Sequence, residues 1–408
     1  MSDFLVAGYC DPRFHAVRDQ FSQALASGFD TGASIAVEHQ GEMVVNLWGG
    51  YKDREKTDPW SDDTLINVFS TTKAITATCL LQLIERGQVN LNALVGDYWP
   101  EYACNGKEKT RVSDFVCHRA AMHGFQGGVP QFDYREWDKW ADALAQQQPF
   151  REPGTTQGYH ALTYGWLVGE LIRRIDGRSV GQYFREEIAE PFGLDFKIGL
   201  EDEDIQRCGD ILVDPQPTPW ALMVIAIAPD FVMPKSLRSL KSFLRMGDLK
   251  VAFASKTAQL GDTNTREMNT REWREAEIPS VNGHGTAESL AKLFGILSTG
   301  GERDGKRIIT PETLKLALTP LSEGPDTVIL GAPIRFGVGY DLGLGITTIR
   351  GTPHPSRIFG HCGVGGTVAF GDPETGLGYG FLCNRMHKLK DLYQTSNRLT
   401  RTVLDIVS

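Results

Sequence analysis

The pattern of hydrophobic and polar positions predicts strands near both ends of the chain and helices between them. Apolar residues with helical spacing predict a helix over residues 11–26. Two β-rich runs, 33–37 and 43–48, flank a Gly-containing turn and predict a hairpin. Residues 70–87 have the pattern of another helix, and Gly87 suits the position that follows a helix end.

The middle of the chain mixes helices, such as 162–175, with Pro- and Gly-rich connections. Its polar, charged segment 262–277 is interpreted as a solvated excursion. β-rich patterning returns in the last third, before an amphipathic helix predicted over 389–407. The short C-terminal runs interpreted as β-rich are 335–342, 357–360, 366–370 and 378–383.

Strands at both ends that enclose a helical middle indicate one sheet built from both termini. We expect an α+β fold, an α/β sandwich in which an antiparallel sheet is flanked by helices and a mainly helical lobe is inserted. The expected domains are a discontinuous α/β domain, 1–69 plus 281–408, and a mainly helical domain, 70–280. The helix that starts near residue 70 is expected at their interface, where a cleft is a natural binding site.

The net charge and the cysteines indicate which classes of binding partner and which cellular compartment to expect. The formal net charge of −9 argues against nucleic-acid or anionic-membrane partners, which need a basic face. No signal peptide or membrane span is predicted, and the apolar run 220–228 is interpreted as a buried segment or a pocket wall. The seven scattered cysteines favour reduced thiols in a cytoplasmic protein, with no zinc site and no disulfide framework.

Ser70 and Lys73 form an S-x-x-K motif at the start of the predicted helix 70–87. A serine hydroxyl needs a base to become a nucleophile, and a lysine can serve if burial lowers its pKa. Spacing of three residues places both side chains on one helix face. The helix is apolar almost all round, so Lys73 is expected in a dry environment.

A second S-x-x-K motif, Ser289 to Lys292, shows that the pattern alone is weakly specific. Ser289 is expected in the first turn of an amphipathic helix capped by Thr286, with a solvated Lys292. Ser70 could likewise be a plain helix cap, but the helix that it opens is predicted to be buried. Ser70 is therefore the preferred nucleophile.

Two further segments carry candidate chemistry. A Pro-Gly turn delivers Tyr159 just before the helix 162–175, and a phenol near a lysine can share its proton. The segment 359–366 contains His361, Gly363 and Val364 before a predicted strand. Its glycines allow close backbone approach and could expose an N–H group to an oxyanion. Each segment alone is typical of ordinary packing or of a glycine-rich hairpin.

Taken in order, the three segments resemble the motifs of serine β-lactamase-related hydrolases. That family includes class C β-lactamases, D-alanyl-D-alanine carboxypeptidases, family VIII carboxylesterases, 6-aminohexanoate-dimer hydrolase and lovastatin-type acyltransferases. Its S-x-x-K, Y-x-N and K-T-G or H-x-G motifs correspond to residues 70–73, 159–161 and 361–363. The segment 117–121 resembles its S-H-R/T-S/A-G stretch, interpreted as structural.

The resemblance implies a DD-peptidase/β-lactamase-like fold and a two-step acyl transfer. Lys73, coupled to Tyr159, would deprotonate Ser70, and Ser70 would attack a carbonyl. Backbone N–H groups of Ser70 and Val364 would hold the oxyanion, with His361 and Gly363 also expected to contact substrate.

Two departures from the family pattern bear on the substrate. Ala161 replaces the motif's Asn, whose amide helps to hold a β-lactam side chain and the lysine. His361 replaces its Lys and is expected to be neutral near pH 7, so it lacks the cation that attracts a substrate carboxylate. The expected function is therefore hydrolysis of small-molecule esters, or of amides, by a Ser70 acyl-enzyme with no metal or other cofactor.

Other functions stay open at this point. They are β-lactamase or D-aminopeptidase-type amide hydrolysis, acyl transfer to another acceptor, and a catalytically silent scaffold of the same fold. An α/β-hydrolase is disfavoured because the chain lacks a G-x-S-x-G elbow. The nine histidines show no metal-binding spacing, and formation of a homo-oligomer is left open.

Overall fold

The computed structural model describes residues 6–214, 241–244, 246–256, 267–348, 354–355, 357–388 and 390–408. Its strands are β1 Ala7–Cys10, β2 Gly32–His39, β3 Glu42–Gly50, β4 Ile66–Asn67, β5 Phe196–Lys197, β6 Leu212–Val213, β7 His284–Gly285, β8 Glu302–Arg303, β9 Lys306–Arg307, β10 Ser322–Pro325, β11 Pro333–Phe336, β12 Asp341–Leu342, β13 Phe359–Cys362, β14 Val368–Asp372, β15 Leu377–Cys383 and β16 Arg385–Met386. Its α-helices are α1 His15–Ala26, α2 Thr72–Glu85, α3 Val112–Val116, α4 Trp137–Gln146, α5 Thr163–Asp176, α6 Val180–Phe184, α7 Glu190–Phe192, α8 Asp202–Arg207, α9 Asp248–Ala252, α10 Arg271–Glu275, α11 Ala287–Ser298, α12 Pro311–Ala317 and α13 Gln394–Val407.

One nine-stranded antiparallel sheet organises the fold, in the order β1-β3-β2-β15-β14-β13-β12-β11-β10. The N-terminal hairpin joins the C-terminal strands where β2 pairs with β15, from Ala33 opposite Cys383 to His39 opposite Leu377. Both termini therefore supply one sheet, and the α+β prediction is confirmed.

Helices cover both faces of this sheet. On one face, α1 and α13 pack together over an apolar layer that includes Phe21, Phe370 and Val403. On the other face, α11 crosses β2, β14 and β15. A Cβ atom at Gly378 of β15 would lie 2.0 Å from the carbonyl oxygen of Ala291, so only glycine permits this close helix–sheet contact.

Helix α2 lies within the larger hydrophobic core. From Thr72 to Leu83 every residue is buried, and the helix contacts α5, α6 and α12. This confirms the interpretation of residues 70–87 as a buried helix, although the α-helix proper begins at Thr72 after a 3₁₀ turn, Phe69–Thr71.

The predicted solvated excursion over 262–277 is wrong for its described part, 267–277. Trp273 is buried in α10, and the neighbouring Arg274 is buried and ion-paired with Asp210. The prediction was wrong because it rested on composition alone. Charged side chains that form ion pairs, such as Arg274, can pack over a buried apolar residue, here Trp273. Residues 262–266 and the apolar run 220–228 lie outside the described residues.

Within the described ranges, no helix is both long and apolar enough to cross a membrane. The division into two discontinuous domains stays a prediction.

Candidate active site

Ser70 lies on the tight turn that leads from β4 into α2. Phe69 has a φ of 49°, a left-handed backbone conformation that costs free energy for a non-glycine residue. The side-chain oxygen of Asn67 accepts the Phe69 N–H at 2.9 Å and supports the turn. Ser70 is thereby held just ahead of α2, with its side chain nearly buried.

Lys73 brings a fully buried amine to this serine. Its Nζ lies 3.1 Å from Ser70 Oγ, 2.7 Å from the carbonyl oxygen of Ala161 and 2.9 Å from that of Ser280. Burial lowers the pKa of Lys73 well below its ordinary value, because the charged form loses its hydration. The neutral amine is therefore accessible at much lower pH than for an exposed lysine.

Tyr159 places its ring beside the same amine, with the ring centroid 4.9 Å from Lys73 Nζ. Its hydroxyl is buried and has no hydrogen-bond partner of good geometry among the described residues. Burial raises the pKa of Tyr159 well above its ordinary value, and the nearby Ser70 hydroxyl offsets this only in part. The phenol is therefore neutral at physiological pH.

The glycine-rich segment after β13 packs directly on the turn that carries Ser70, through contacts with Val68 and Phe69. A Cβ atom at Gly363 would lie 2.3 Å from the carbonyl oxygen of Val68, and one at Gly365 would lie 2.5 Å from the Phe69 ring. Thr367 Oγ1 donates a hydrogen bond to that Val68 oxygen at 2.8 Å. Val364 lies between the two glycines, so its backbone belongs to the segment that packs on Val68 and Phe69.

The backbone N–H of Gly363 donates to the carbonyl oxygen of Thr367 at 2.8 Å. It is therefore part of the turn, and the structure does not offer it to a substrate. The contribution of Gly363 is instead the close approach that its missing side chain permits.

His361 is fully buried near Tyr159, with 5.9 Å between the ring centroids. Its Nδ1 lies 2.8 Å from the carbonyl oxygen of Cys362, so Nδ1 carries the proton and Nε2 is an acceptor. Burial first, and then the nearby Lys73, lowers the pKa of His361 to about 3. The imidazole is therefore neutral near pH 7.

Some residues around the site carried no recognisable sequence signal. The carbonyl oxygens of Ala161 and Ser280 hold the Lys73 amine, so the missing Asn side chain does not leave that amine without partners. Asp326 accepts the backbone N–H of Tyr159 at 3.1 Å. Asp341 is a second buried carboxyl near Tyr159, and burial raises its pKa to about 7.

The second S-x-x-K motif has a different environment. Thr286 caps α11 by accepting the N–H of Ser289 at 3.2 Å, as expected. Ser289 Oγ accepts the N–H of Asp195 at 2.7 Å and a hydrogen bond from Thr286 Oγ1 at 2.9 Å. Lys292 is half-buried on α11. The Ser289 hydroxyl is thus engaged in structural hydrogen bonds.

Across the described part of the chain, His, Cys, Asp and Glu side chains form no group of three or more arranged to hold a metal ion.

Residues 17–400 match the family model described as Beta-lactamase. The chain belongs to the beta-lactamase family. It is 33% identical to Esterase/beta-lactamase LipL of Mycobacterium tuberculosis over 383 residues, which cover 93% of this chain and 83% of that protein.

Two solved structures are similar to this beta-lactamase-family protein over nearly its whole length. One is a penicillin-binding protein homologue from Caulobacter crescentus, with a TM-score of 0.83 and 34% identity, covering 98% of this chain and 100% of that one. The other is a family VIII carboxylesterase, with a TM-score of 0.83 and 33% identity at the same coverage. These likenesses confirm the family resemblance and the expectation of a serine hydrolase.

The different environments of the two serines generate a test. Ser70→Ala is expected to reduce kcat by up to ~10⁶, because it removes the nucleophile. Ser289→Ala is expected to leave kcat nearly unchanged, because its hydroxyl only joins structural elements. Hydrolysis of a p-nitrophenyl ester measures both, and comparable activity of Ser70→Ala and wild type would exclude Ser70 as the nucleophile.

Proposed function

We propose that this beta-lactamase-family protein hydrolyses small-molecule esters through an acyl-enzyme on Ser70. The observation that carries the proposal is the environment of Lys73. A neutral amine has two N–H groups and one lone pair. The carbonyl oxygens of Ala161 and Ser280 can accept both N–H groups, which leaves the lone pair for the Ser70 proton.

In the first step, the Ser70 proton moves to Lys73 as Oγ attacks the ester carbonyl. The tetrahedral intermediate then loses its C–O bond to the alcohol, and the departing oxygen needs a proton. The raised pKa of Tyr159 favours it as the donor of that proton, rather than as part of the base that we expected from the sequence. The proton on Lys73 returns to the Tyr159 oxygen.

In the second step, water attacks the acyl-enzyme and gives a proton to the same pair, and Ser70 leaves with a proton. The developing oxyanion would be held by the backbone N–H groups of Ser70 and Val364. Gly363 and Gly365 support this assignment, because their contacts with Val68 and Phe69 keep the two backbones together.

The substrate class follows from what faces the site. A neutral His361 whose free nitrogen accepts hydrogen bonds offers no cation to a substrate carboxylate. LipL is named an esterase and the similar solved structure is that of a carboxylesterase, and we extend ester substrates from those proteins to this chain. LipL is also named a beta-lactamase, so amide hydrolysis of a β-lactam is the second candidate.

The pH dependence tests Lys73 as base. Protonated Lys73 has no lone pair, so kcat/KM is expected to rise as the pH increases through the apparent pKa of the Lys73–Tyr159 pair. The raised pKa of Tyr159 predicts no falling limb below about pH 10. A profile measured with p-nitrophenyl acetate that is highest at acidic pH and falls on going upward would contradict this base.

Leaving-group dependence tests Tyr159 as acid. Tyr159→Phe is expected to lower kcat/KM for alkyl esters by ~10² or more, and by much less for p-nitrophenyl esters, because nitrophenolate leaves without a proton. Tyr164→Phe is the matched control, since Tyr164 is another buried phenol with its ring 5.7 Å from Lys73 Nζ. Equal losses on both ester classes in Tyr159→Phe would remove the acid role.

Substrate preference separates the two candidate functions. A charge-assisted bond to a substrate carboxylate contributes about 1.5–3 kcal/mol. Without it, kcat/KM for nitrocefin is expected to lie ~10²-fold below that for p-nitrophenyl acetate. Ser70→Ala supplies the blank for both substrates. A wild-type kcat/KM for nitrocefin above that for the best ester would make this protein a β-lactamase instead, and acyl transfer would appear as a new ester when an alcohol is added.

A further inference from the structure

Asp326 is a fully buried carboxylate in the turn between β10 and β11, and the proposed chemistry does not use it. Its Oδ1 accepts three backbone N–H groups, from Tyr159 at 3.1 Å and from Val328 and Ile329 at 2.9 Å each. Its Oδ2 has a longer contact of 3.4 Å with the Gln157 amide. Burial raises the pKa of Asp326, while these donors favour its charged form.

The segment around Tyr159 belongs to no helix or strand, so its backbone needs other partners. Three consecutive N–H groups are held. Gly158 donates to the carbonyl oxygen of His118 at 2.9 Å, Tyr159 to Asp326, and His160 to Nδ1 of His118 at 3.1 Å. Asp326 is the one of these two partners that holds Tyr159 itself.

Nothing at the other end of the tyrosine side chain replaces this anchor. The Tyr159 hydroxyl lacks a well-formed hydrogen bond within the described residues. Its ring is held by packing alone, with its centroid 4.8 Å from that of His118, 5.9 Å from that of His361 and 6.2 Å from that of Phe336. A ring held by packing alone keeps more freedom to shift, whereas the hydrogen bond to the backbone N–H of Tyr159 fixes where the side chain starts. The position of the phenol relative to Ser70 therefore depends on the backbone at Tyr159.

We propose that Asp326 is a positioning residue, which holds the Tyr159 backbone so that the phenol meets the departing oxygen. The proposal rests on the function proposed above for Tyr159. It makes no claim on the substrate, because Asp326 contacts only backbone groups and the Gln157 amide among the bonds described here.

Two substitutions separate the bond to Tyr159 from the local turn. A serine hydroxyl at this position can still accept the N–H of Val328, as in an ST-turn, but is too short to reach Tyr159. Asp326→Asn keeps the Oδ1 acceptor for the Tyr159 N–H and removes the charge, and its new NH₂ group can bond the Gln157 side chain once that amide turns its oxygen inward. Asp204→Ala is the matched control, because Asp204 is another buried carboxylate, and it bonds Lys197 and the backbone N–H of Glu201 rather than Tyr159.

Asp326→Ser is expected to show the same leaving-group dependence as Tyr159→Phe. Its kcat/KM for alkyl esters should fall at least ~10-fold further than its kcat/KM for p-nitrophenyl esters. Asp326→Asn is expected to keep the wild-type ratio of the two activities, and so is Asp204→Ala. A crystal structure of Asp326→Ser is expected to show the Tyr159 hydroxyl displaced. Equal losses on both esters in Asp326→Ser, or an unmoved Tyr159, would overturn the proposal.

If Asp326→Asn lowered the ratio of kcat/KM for alkyl esters to kcat/KM for p-nitrophenyl esters, the proposal would also be overturned. The charge of Asp326, rather than its hydrogen bond to Tyr159, would then be responsible for the effect. Failure of the function proposed for Tyr159 is visible separately, since Tyr159→Phe itself would then lack the leaving-group effect. In that case the crystal structure of Asp326→Ser alone decides whether Asp326 positions Tyr159.

Discussion

The amine of Lys73 is removed from water and lies among three oxygen atoms, those of Ser70, Ala161 and Ser280. Burial of a cation costs several kcal/mol, so an isolated ammonium would not persist there. The neutral amine avoids most of this cost, and its lone pair is what the proposed role of Lys73 as a base requires. Helix α2 is buried from Thr72 to Leu83, and the segments carrying Ala161 and Ser280 contact the amine, so water is excluded from Lys73.

The sheet supplies the second half of the site. Strand β13 ends in a turn whose glycines lie against Val68 and Phe69, and Thr367 bonds the Val68 carbonyl oxygen. Side chains at Gly363 or Gly365 would push the turn away from Ser70. The strained Phe69 backbone is held in place from the sheet side, so the position of Ser70 depends on both the N-terminal and the C-terminal part of the chain.

Features set by local sequence could be predicted, and features set by long-range backbone contacts could not. Ser70 and Lys73 share a helix face because of their spacing, and the hairpin of β2 and β3 follows from its alternating pattern. The turn before the helix 162–175 made Tyr159 a candidate, but only the resemblance of three ordered motifs to a family set it apart from an ordinary packing residue. No sequence pattern indicates Ser280, since only its backbone oxygen contacts Lys73. None indicates Asp326 either, because it lies 167 positions from Tyr159 in the sequence.

The most direct measurement of the central claim is the pKa of Lys73 itself. Protein labelled with ¹⁵N at lysine side chains can be titrated by NMR, with Lys73→Arg used to assign the resonance. Because the amine is buried, we expect Lys73 to lose its proton well below the ordinary pKa of lysine, about 10.4, while exposed lysines titrate near that value. A Lys73 resonance that titrates together with the exposed lysines would contradict the account.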